Sequence, residues 1–433
     1  MTESQEKKND KAWTKLFEKY RILDQIASND YFIISADQIR EFREPRLMAK
    51  FDHSINLPEI FSSNSLSILP LARGKYIIAP MKAYHKFESA DHNVFEFSFP
   101  ENIQSIDPYN IFSEIVAINC AFLSGILSDF LEEDDLSPTV GGRMGSDSFS
   151  FFISTFNEMH QISVTVDKSQ IEIDAAFEGI ESLALIEAKC DLSDDFLVRQ
   201  LYYPFRLWNG RISKRVRPIF LVYSNSIFSL YEYKFEDPDN YNSLRLVKQK
   251  HYSIENTEIE ITDIQGICDT VRTIPEPDLP FPQADNFKRV INLCELLFHR
   301  DSLTRDDVTE NYAFDVRQTN YYTDAARYLG LLEKTEINGK IRYNLTDKGQ
   351  RILRLGYRER QLEFAKCILS HPVFLETMRC SLDTGELPTK SVIVDIMRRH
   401  SLYHINSDTT YRRRASTVRR WIDWIFGLMG NSQ

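Results

Sequence analysis

A proline-rich run constrains the fold of this 433-residue chain more than any other feature. The ten residues from Thr273 to Pro282 include four prolines. Because proline fixes φ and lacks a backbone N–H, this run can form neither a helix nor a central strand. The sequence therefore predicts separately packed parts joined by a linker at residues 273–284. At about 150 residues per domain, the length suggests about three domains.

Charge differs sharply between the two sides of this linker. Residues 285–433 hold 24 Lys and Arg against 19 Asp and Glu, a net charge of +5. Residues 1–284 hold 28 against 44, a net charge of −16. An acidic body with a basic C-terminal third permits a DNA-contacting module there, although uneven surface charge is the alternative interpretation.

Targeting signals and cysteine pairs are not evident in the sequence. No run of about 18 apolar residues occurs, and the first residues are charged, so we expect no membrane partner and a cytoplasmic location. The six cysteines lie far apart, with no CxxC pair. Free thiols in a reducing compartment are expected, rather than a disulfide framework or a zinc site.

Residues 1–100 are predicted to form a mixed N-terminal domain with a possible role in DNA recognition. A helix is expected at 11–27, with short strands at 31–35 and 75–79. Basic side chains that could touch phosphates are scattered here, although solvated surface is the favoured interpretation for each: Arg40, Arg43, Arg46, Lys50 and Arg73.

Residues 101–272 are predicted to form a mixed sheet flanked by helices. A helix at 107–131 is expected to bury a stripe at three- and four-residue spacing, made of Ile111, Ile115, Ile118, Phe122 and Ile126. Strands are expected at 160–166, 170–177, 182–189, 217–223 and 227–235, with a helix at 194–208. Tyr202, Phe205 and Trp208 are spaced to pack one face of that helix.

Chemistry-bearing residues follow one apolar strand of this region. Glu187 and Lys189 end that strand on the same face, roughly 7 Å apart at about 3.3 Å per residue. Asp174 lies on the preceding strand, and hairpin pairing could bring it beside Glu187. Two carboxylates suit Mg²⁺, and a neighbouring lysine could stabilise charge on a phosphoryl group.

A Glu-x-Lys triplet by itself is weak evidence. Two others occur, Glu6–Lys8 in a charged terminus and Glu232–Lys234 on a strand whose predecessor offers no acid. Only the triplet at Glu187 combines an apolar strand, an upstream aspartate and a following helix. A chance ion pair on an edge strand is the alternative interpretation.

The pattern Ile173-Asp174, twelve residues, Glu187-Ala-Lys189 and then Gln200 resembles the PD-(D/E)xK nuclease superfamily. The string Ile186–Lys189 followed by 196–206 resembles one group of type II restriction endonucleases with an N-terminal domain and C-terminal winged-helix segments. The proline of the family's name is replaced by Ile173. The resemblance implies a restriction-endonuclease-like α/β (α+β) core in which Asp174, Glu187, Lys189 and Gln200 are catalytic and Asp174, Glu187 and Glu114 bind the metal.

The function that this resemblance implies is a Mg²⁺-dependent type II site-specific deoxyribonuclease acting on double-stranded DNA. It also implies a homodimer when both strands are cut and a cognate DNA methyltransferase as genetic partner. Two alternatives stay open at this point. One is a non-catalytic, regulatory winged-helix DNA-binding protein, and the other is a nuclease for DNA repair or for modified DNA.

Residues 285–355 are predicted to form a winged helix. Helices are expected at 287–298, 304–312 and 318–329, followed by a hairpin around Asn338-Gly339, a dipeptide that tolerates positive φ at both positions. The third helix would enter the major groove by its N-terminal side chains, Arg317, Gln318, Asn320 and Tyr321. A protein-interaction module is the alternative.

Residues 356–433 are predicted to be helical, with a second helix-turn-helix-like DNA-binding segment. Tyr411, Ala415, Val418, Ile422 and Ile425 form an apolar stripe after an N-cap at Ser407 or Asp408. Four arginines fall mostly off the stripe and are the expected phosphate contacts, namely Arg412, Arg413, Arg419 and Arg420. A solvated basic face is the alternative.

Overall fold

The structure is a computed structural model, and it describes residues 8–88, 93–157, 160–300, 302–311, 314 and 316–429. The architecture is mixed α/β, as predicted, with a mixed sheet and many helices. Within the described residues, no helix has both the length and the apolar content needed to cross a bilayer.

The N-terminal part packs short helices on a small antiparallel sheet with strand order β1-β3-β2. Its elements are α1 (Lys8–Tyr20), α2 (Ile22–Asn29), β1 (Phe32–Ser35), α3 (Ala36–Arg40), α4 (Pro45–Met48), α5 (Glu59–Ser63), β2 (Ser67–Ala72) and β3 (Lys75–Ala79). The predicted single helix at 11–27 is wrong, because Arg21 adopts a left-handed φ of 48° between α1 and α2.

The middle part contains the largest sheet in the described residues, ordered β5-β16-β15-β14-β12-β11-β6. Its strands are β4 (Tyr84–Lys86), β5 (Val94–Glu96), β6 (Ser137–Pro138), β7 (Gly142–Gly145), β8 (Phe149–Ser154), β9 (Gln161–Val166), β10 (Gln170–Ile173), β11 (Ala175–Glu178), β12 (Ser182–Lys189), β13 (Asp195–Leu197), β14 (Arg215–Ser224), β15 (Ile227–Phe235) and β16 (Leu244–Ser253). Its helices are α6 (Glu114–Leu123), α7 (Ile126–Leu131), α8 (Arg199–Asn209) and α9 (Ile261–Thr270).

The predicted helix at 107–131 is shorter and broken. Ser113 caps α6 by accepting a hydrogen bond from the backbone N–H of Val116, so the helix begins at Glu114. Gly125, with a φ of 81°, separates α6 from α7. Ile115 was expected in the core but is 60% exposed, because the buried face of α6 is formed by its neighbours, including Ala117 and Ile118.

Two further predictions in this part are corrected. The predicted helix at 194–208 begins only at Arg199, because residues 195–197 form β13 and pair with β4. The predicted strand at 170–177 is divided by a bend at Asp174. Its first half, β10, pairs with β7, whereas its second half, β11, joins the large sheet.

The C-terminal part packs helices and a three-stranded sheet, β17-β19-β18, around one hydrophobic cluster. Its elements are α10 (Phe287–Phe298), β17 (Leu303–Thr304), α11 (Arg305–Asn311), α12 (Val316–Tyr328), β18 (Leu332–Ile337), β19 (Lys340–Leu345), α13 (Asp347–Leu353), α14 (Tyr357–Leu369), α15 (Pro372–Thr384), α16 (Lys390–Arg398) and α17 (Asp408–Leu428). The predicted hairpin is confirmed, with positive φ at both Asn338 and Gly339. The proline-rich run carries no helix or strand.

Candidate active site

The strand β12 brings the central residues of the site together. It pairs in parallel with β14 at one edge and antiparallel with β11 at the other. Its two faces pack into different hydrophobic clusters, one with α8 and one with α6, so its apolar residues are buried on both faces. In the second pairing Ala175 lies opposite Ile186, and the bend at Asp174 therefore comes opposite Glu187. The backbone N–H of Ala188 donates to Asp174 Oδ2 at 2.8 Å. Asp174, Glu187 and Lys189 meet at this strand end.

One oxygen of Glu187 receives two donors. Lys189 Nζ and Gln200 Nε2 each donate to Glu187 Oε1 at 2.5 Å. Gln200 reaches this position because it lies in the first turn of α8. Its Oε1 atom is buried and has no hydrogen-bond partner in the described residues. Gln200 thus holds the carboxylate with its amide nitrogen and leaves an acceptor unused beside it.

Burial and nearby charges shift the pKa values of Glu187 and Lys189. Burial raises the pKa of Glu187 above its ordinary value, and the nearby charge of Asp174 adds to this effect, while Lys189 opposes it. Burial disfavours the Lys189 ammonium, but Glu187 and other carboxylates outweigh it, so the pKa of Lys189 lies above its ordinary value. Lys189 is therefore a cation in this site.

Glu114 lies at the edge of the same group. Its Oε1 atom is 3.9 Å from Lys189 Nζ, and its side chain is 47% exposed. The carboxylate belongs to the first turn of α6, whose N-cap at Ser113 positions it. Glu114 thus faces the lysine rather than forming a close pair with either of the other carboxylates.

An open cavity of about 630 Å³ lies over these residues. Asp174, Glu187, Lys189, Glu114 and Gln200 all line it, so the predicted catalytic and metal-binding residues share one solvent-accessible space. The rest of the lining comes from all three parts of the chain. N-terminal residues between Asn9 and Pro58 contribute one portion, and Thr309 of α11 contributes from the C-terminal part.

The oxygen donors present here fit a hard divalent cation such as Mg²⁺. Asp174 and Glu187 each have one carboxylate oxygen that takes no hydrogen bond from a described residue. The unused Gln200 Oε1 belongs to the amide that contacts Glu187, so a third oxygen donor lies close to that carboxylate. No three His, Cys, Asp or Glu side chains among the described residues are grouped closely enough to bind a metal. Two carboxylates suffice for Mg²⁺, because this ion keeps several waters.

A buried histidine beside the site was not found from the sequence. His53, which is 5% exposed, lies 3.2 Å from Asp191 Oδ2 by its Nε2 atom and 2.6 Å from the Asp195 carbonyl oxygen by its Nδ1 atom. Burial disfavours the imidazolium, but Asp191 outweighs it and raises the pKa of His53. This contact ties the N-terminal part to the chain immediately after β12.

Asn292 of α10 makes a comparable contact from the C-terminal part. Its side chain donates to the carbonyl of Cys190 at 3.0 Å and accepts from the backbone N–H of Leu192 at 3.1 Å. It also donates to Ser224 Oγ, at the end of β14. The segment that follows Lys189 is thus held by two distant parts of the chain. Neither His53 nor Asn292 carries a local sequence signal, because both act through packing between parts.

The residues predicted to contact DNA lie on two neighbouring helices. In the first turns of α12, Arg317 is exposed, while Gln318, Asn320 and Tyr321 are half-buried. Thr319, between them, contacts Thr309 Oγ1 at 2.9 Å, so α12 begins next to the cavity. The position of α12 brings its predicted DNA-contacting turn close to the candidate active site.

The arginines of α17 are not equivalent. Arg412, Arg413 and Arg420 are exposed, whereas Arg419 is half-buried. Arg414 is also half-buried and donates to Gln283 Oε1 at 2.6 Å. Burial lowers the pKa of Arg414 and Arg413 adds to this effect, while Tyr321 and Asp324 of α12 oppose it. The beginning of α17 therefore lies near α12.

Three families match successive stretches of the chain, each described as a domain of unknown function. DUF6996 matches residues 10–78, DUF6997 matches residues 79–253 and DUF7226 matches residues 289–430. No curated protein matches the chain, and no solved structure matches it. The candidate site has its predicted catalytic residues in the second stretch, and its cavity is also lined by residues of the first and the third.

Proposed function

We propose that this protein is a Mg²⁺-dependent endonuclease that hydrolyses phosphodiester bonds in double-stranded DNA, in the manner of a type II restriction endonuclease. The observation that supports this most is the meeting of Asp174, Glu187 and Lys189 at one strand end, under an open cavity. These are the residues on which the resemblance to the PD-(D/E)xK nucleases depends.

Each side chain has a role that follows from its position. Asp174 and Glu187 would hold the Mg²⁺ ion, which when bound lowers the pKa of a water and neutralises charge on the phosphoryl group. Lys189 remains an ammonium because its carboxylate neighbours favour the charged form, and it can stabilise the negative charge of the transition state. Gln200 orients Glu187 through the contact at Oε1. Glu114, 3.9 Å from Lys189, helps to keep that lysine charged.

Cleavage at a defined sequence requires base contacts in addition to this chemistry. We propose that α12 and α17 supply DNA contacts, because their exposed arginines lie on neighbouring helices and α12 begins beside the cavity. One candidate site per chain would cut one strand at a time, so we propose that a homodimer cuts the two strands together. A cognate DNA methyltransferase would protect the host's own sites.

Digestion of unmethylated plasmid DNA tests this proposal directly. We expect discrete fragments with Mg²⁺ or Mn²⁺, and ends that map to one recurring sequence. Ca²⁺ should support binding but little cleavage, because it takes longer and more flexible oxygen coordination. Undiminished cleavage in excess chelator would contradict the mechanism. DNA binding with no cleavage under any of these metals would favour a non-catalytic DNA-binding protein, and cleavage only of modified or damaged DNA would favour the third alternative.

A further inference from the structure

The cavity over Glu187 contains arginines that have no carboxylate partner in the described residues. Most charged residues that line it are paired within the protein. Lys189 binds Glu187, Arg143 Nε lies 3.1 Å from Glu172, Lys50 Nζ lies 3.7 Å from Asp52, and His53 binds Asp191. Within each pair the two charges neutralise each other, so these pairs leave little net electrostatic attraction for a ligand.

Three guanidinium groups in the same cavity differ from these pairs. Arg43 Nη1 donates to the neutral amide oxygen of Asn9 at 2.5 Å. Arg199 lies 5.7 Å from the ring centre of Tyr203, and Arg46 is exposed. None of the three forms an ion pair with a residue that the structure describes. Each therefore has positive charge available to a ligand in the cavity.

The contrast with other cations of the N-terminal part strengthens this observation. Arg21 is paired with Asp24, Arg40 with Asp37 and Lys19 with Glu41. Residues 1–284 carry a net charge of −16, so acidic partners are plentiful. On such an acidic body, guanidinium groups left without an ion pair among the described residues of one cavity indicate a site for an anion. Guanidinium forms bidentate hydrogen bonds with phosphate, which makes arginine well suited to this ligand.

We infer that Arg43, Arg46 and Arg199 bind phosphates of the DNA strand on either side of the bond that is cut, which makes the N-terminal part a wall of the active site. The identity of the ligand as DNA rests on the proposed function. Arg43 and Arg46 come from the segment around α4, whereas Arg199 begins α8, one residue before Gln200. Arginines from two parts of the chain would thus hold the DNA strand, while the carboxylates act on the phosphate between them.

The test compares two double variants of the full-length protein. One removes the cavity arginines as Arg43→Ala with Arg46→Ala. The matched control removes two arginines of the same part that do not line the cavity, as Arg40→Ala with Arg73→Ala. Binding of a short fluorescent DNA duplex is measured by anisotropy in excess chelator over a series of salt concentrations. Chelator prevents metal-dependent cleavage, so binding is measured apart from chemistry.

We expect the cavity variant to bind roughly tenfold more weakly and to lose about 1.8 from the magnitude of the log-log salt slope, since each phosphate contact contributes about 0.9. Arg199→Ala should lose about half as much slope. The control should match the wild type. Thermal unfolding confirms that each variant is folded, and Arg46→Lys, which keeps the charge at an exposed position, should retain most of the slope.

The possible outcomes separate this inference from the proposed function. Equal affinity and slope in the cavity variant and the control would overturn the inference, as would a wild-type protein that does not bind the duplex. Displacement of the duplex by a nucleoside monophosphate at similar concentration would also overturn it, because the ligand would then be a free nucleotide. Arginine-dependent binding without cleavage in Mg²⁺ would contradict the nuclease proposal, and it would leave standing the part of the inference that assigns DNA phosphates to Arg43, Arg46 and Arg199.

Discussion

The two ends of the large sheet both bury charged side chains, but they satisfy them differently. At the end opposite the cavity, Arg217 donates to both oxygens of Glu232, at 2.9 and 2.7 Å, and to the carbonyl of Leu131 at 2.7 Å. At the cavity end, Lys189 and Gln200 share a single oxygen of Glu187. Glu232 and Glu187 are 1% and 8% exposed, so burial alone does not separate them.

The two ends differ in how completely the carboxylate oxygens are hydrogen-bonded. A bidentate guanidinium–carboxylate pair satisfies both oxygens and leaves no charge for an outside ligand. The cavity end retains oxygens on Asp174, Glu187 and Gln200 that no described residue uses, and two carboxylates that repel each other. Strongly perturbed groups in a cleft are typical of functional sites, whereas complete pairs are typical of structural ones. Chemistry is therefore expected at one end of the sheet and stability at the other.

The largest expected effect is the loss of cleavage at the cavity end. On the proposed function, Asp174→Ala and Lys189→Ala should each lower the cleavage rate by a factor on the order of 10³ or more, because one would remove a metal-binding oxygen and the other the cation that would stabilise the transition state. DNA affinity in chelator should change little. Rates are measured on plasmid DNA, and cleavage at the wild-type rate by either folded variant would remove the distinction between the two ends.

The next effect concerns stability at the opposite end. Glu232→Gln should lower the free energy of unfolding by about 3 kcal/mol, because it removes the bidentate counter-charge of the buried Arg217 and leaves only the 3.6 Å contact of that arginine with Glu133. Glu187→Gln should change the free energy of unfolding by less than about 1 kcal/mol, because it also removes the repulsion from Asp174. The exposed Glu236→Gln, directly after β15, serves as a control, with an expected change within about 0.5 kcal/mol. Urea unfolding measures all three, and equal losses for Glu232→Gln and Glu187→Gln would contradict the comparison.

A third buried carboxylate makes the stability of the protein depend on pH. Glu276, in the proline-rich run, accepts from Tyr328 Oη at 2.9 Å by one oxygen, while its other oxygen is buried without a partner in the described residues. Burial raises the pKa of Glu276 to about 7, and the hydrogen bond from Tyr328 opposes this shift. Because the folded pKa lies above the unfolded one, the protonated form stabilises the fold, and this contribution is lost as the pH rises through 7.

The comparison with Glu276→Gln isolates this contribution. Relative to the Gln variant, the wild type should lose about 2 kcal/mol of unfolding free energy between pH 5 and pH 8. All other titrating groups, including the buried His371, are common to both proteins. Urea unfolding at several pH values measures the difference, and parallel pH profiles for the two proteins would show that Glu276 is as well satisfied as Glu232.

The smallest expected effect is on DNA binding by the basic C-terminal third, where exposed charges without an ion pair among the described residues are expected to contact phosphates. Replacing Arg412, Arg413, Arg419 and Arg420 with Ala should weaken DNA binding roughly tenfold and lower the magnitude of the salt slope by about 0.9 for each phosphate that is no longer bound. Arg412 and Arg413 should account for most of this change, because both are exposed, whereas Arg420 lies 3.9 Å from Asp423 and Arg419 is half-buried. The helix should survive, since its buried face is formed by other residues such as Trp421 and Val418.

Anisotropy titrations at several salt concentrations measure this effect, with circular dichroism as the folding control. An unchanged affinity and slope in the folded quadruple variant would show that this face of α17 points to solvent. The leading DNA contacts would then be α12, beginning near Arg317, and the cavity arginines.

Local sequence patterns determined a substantial part of this structure. Three elements have the bounds that their patterns predict, namely the strands at 182–189 and 227–235 and the helix at 287–298. The hairpin turn also lies at Asn338-Gly339, as predicted. The candidate residues Asp174, Glu187 and Lys189 were also found from the sequence, because strand alternation and a short hairpin link are local properties. Such features depend on neighbours a few residues apart.

Tertiary structure alone decided what surrounds those residues. Four features depend on contacts between distant segments. They are the bend at Asp174, the exposure of Ile115, the hydrogen bonds from Asn292 to the chain after Lys189, and the placement of Arg46 in the cavity. Arg46 and Arg73 are both exposed arginines of the N-terminal part, and nothing in the local sequence distinguishes their surroundings. Only tertiary packing places one of them in the cavity that the carboxylates also line, because a side chain's surroundings are set by which elements meet and not by the residues next to it along the chain.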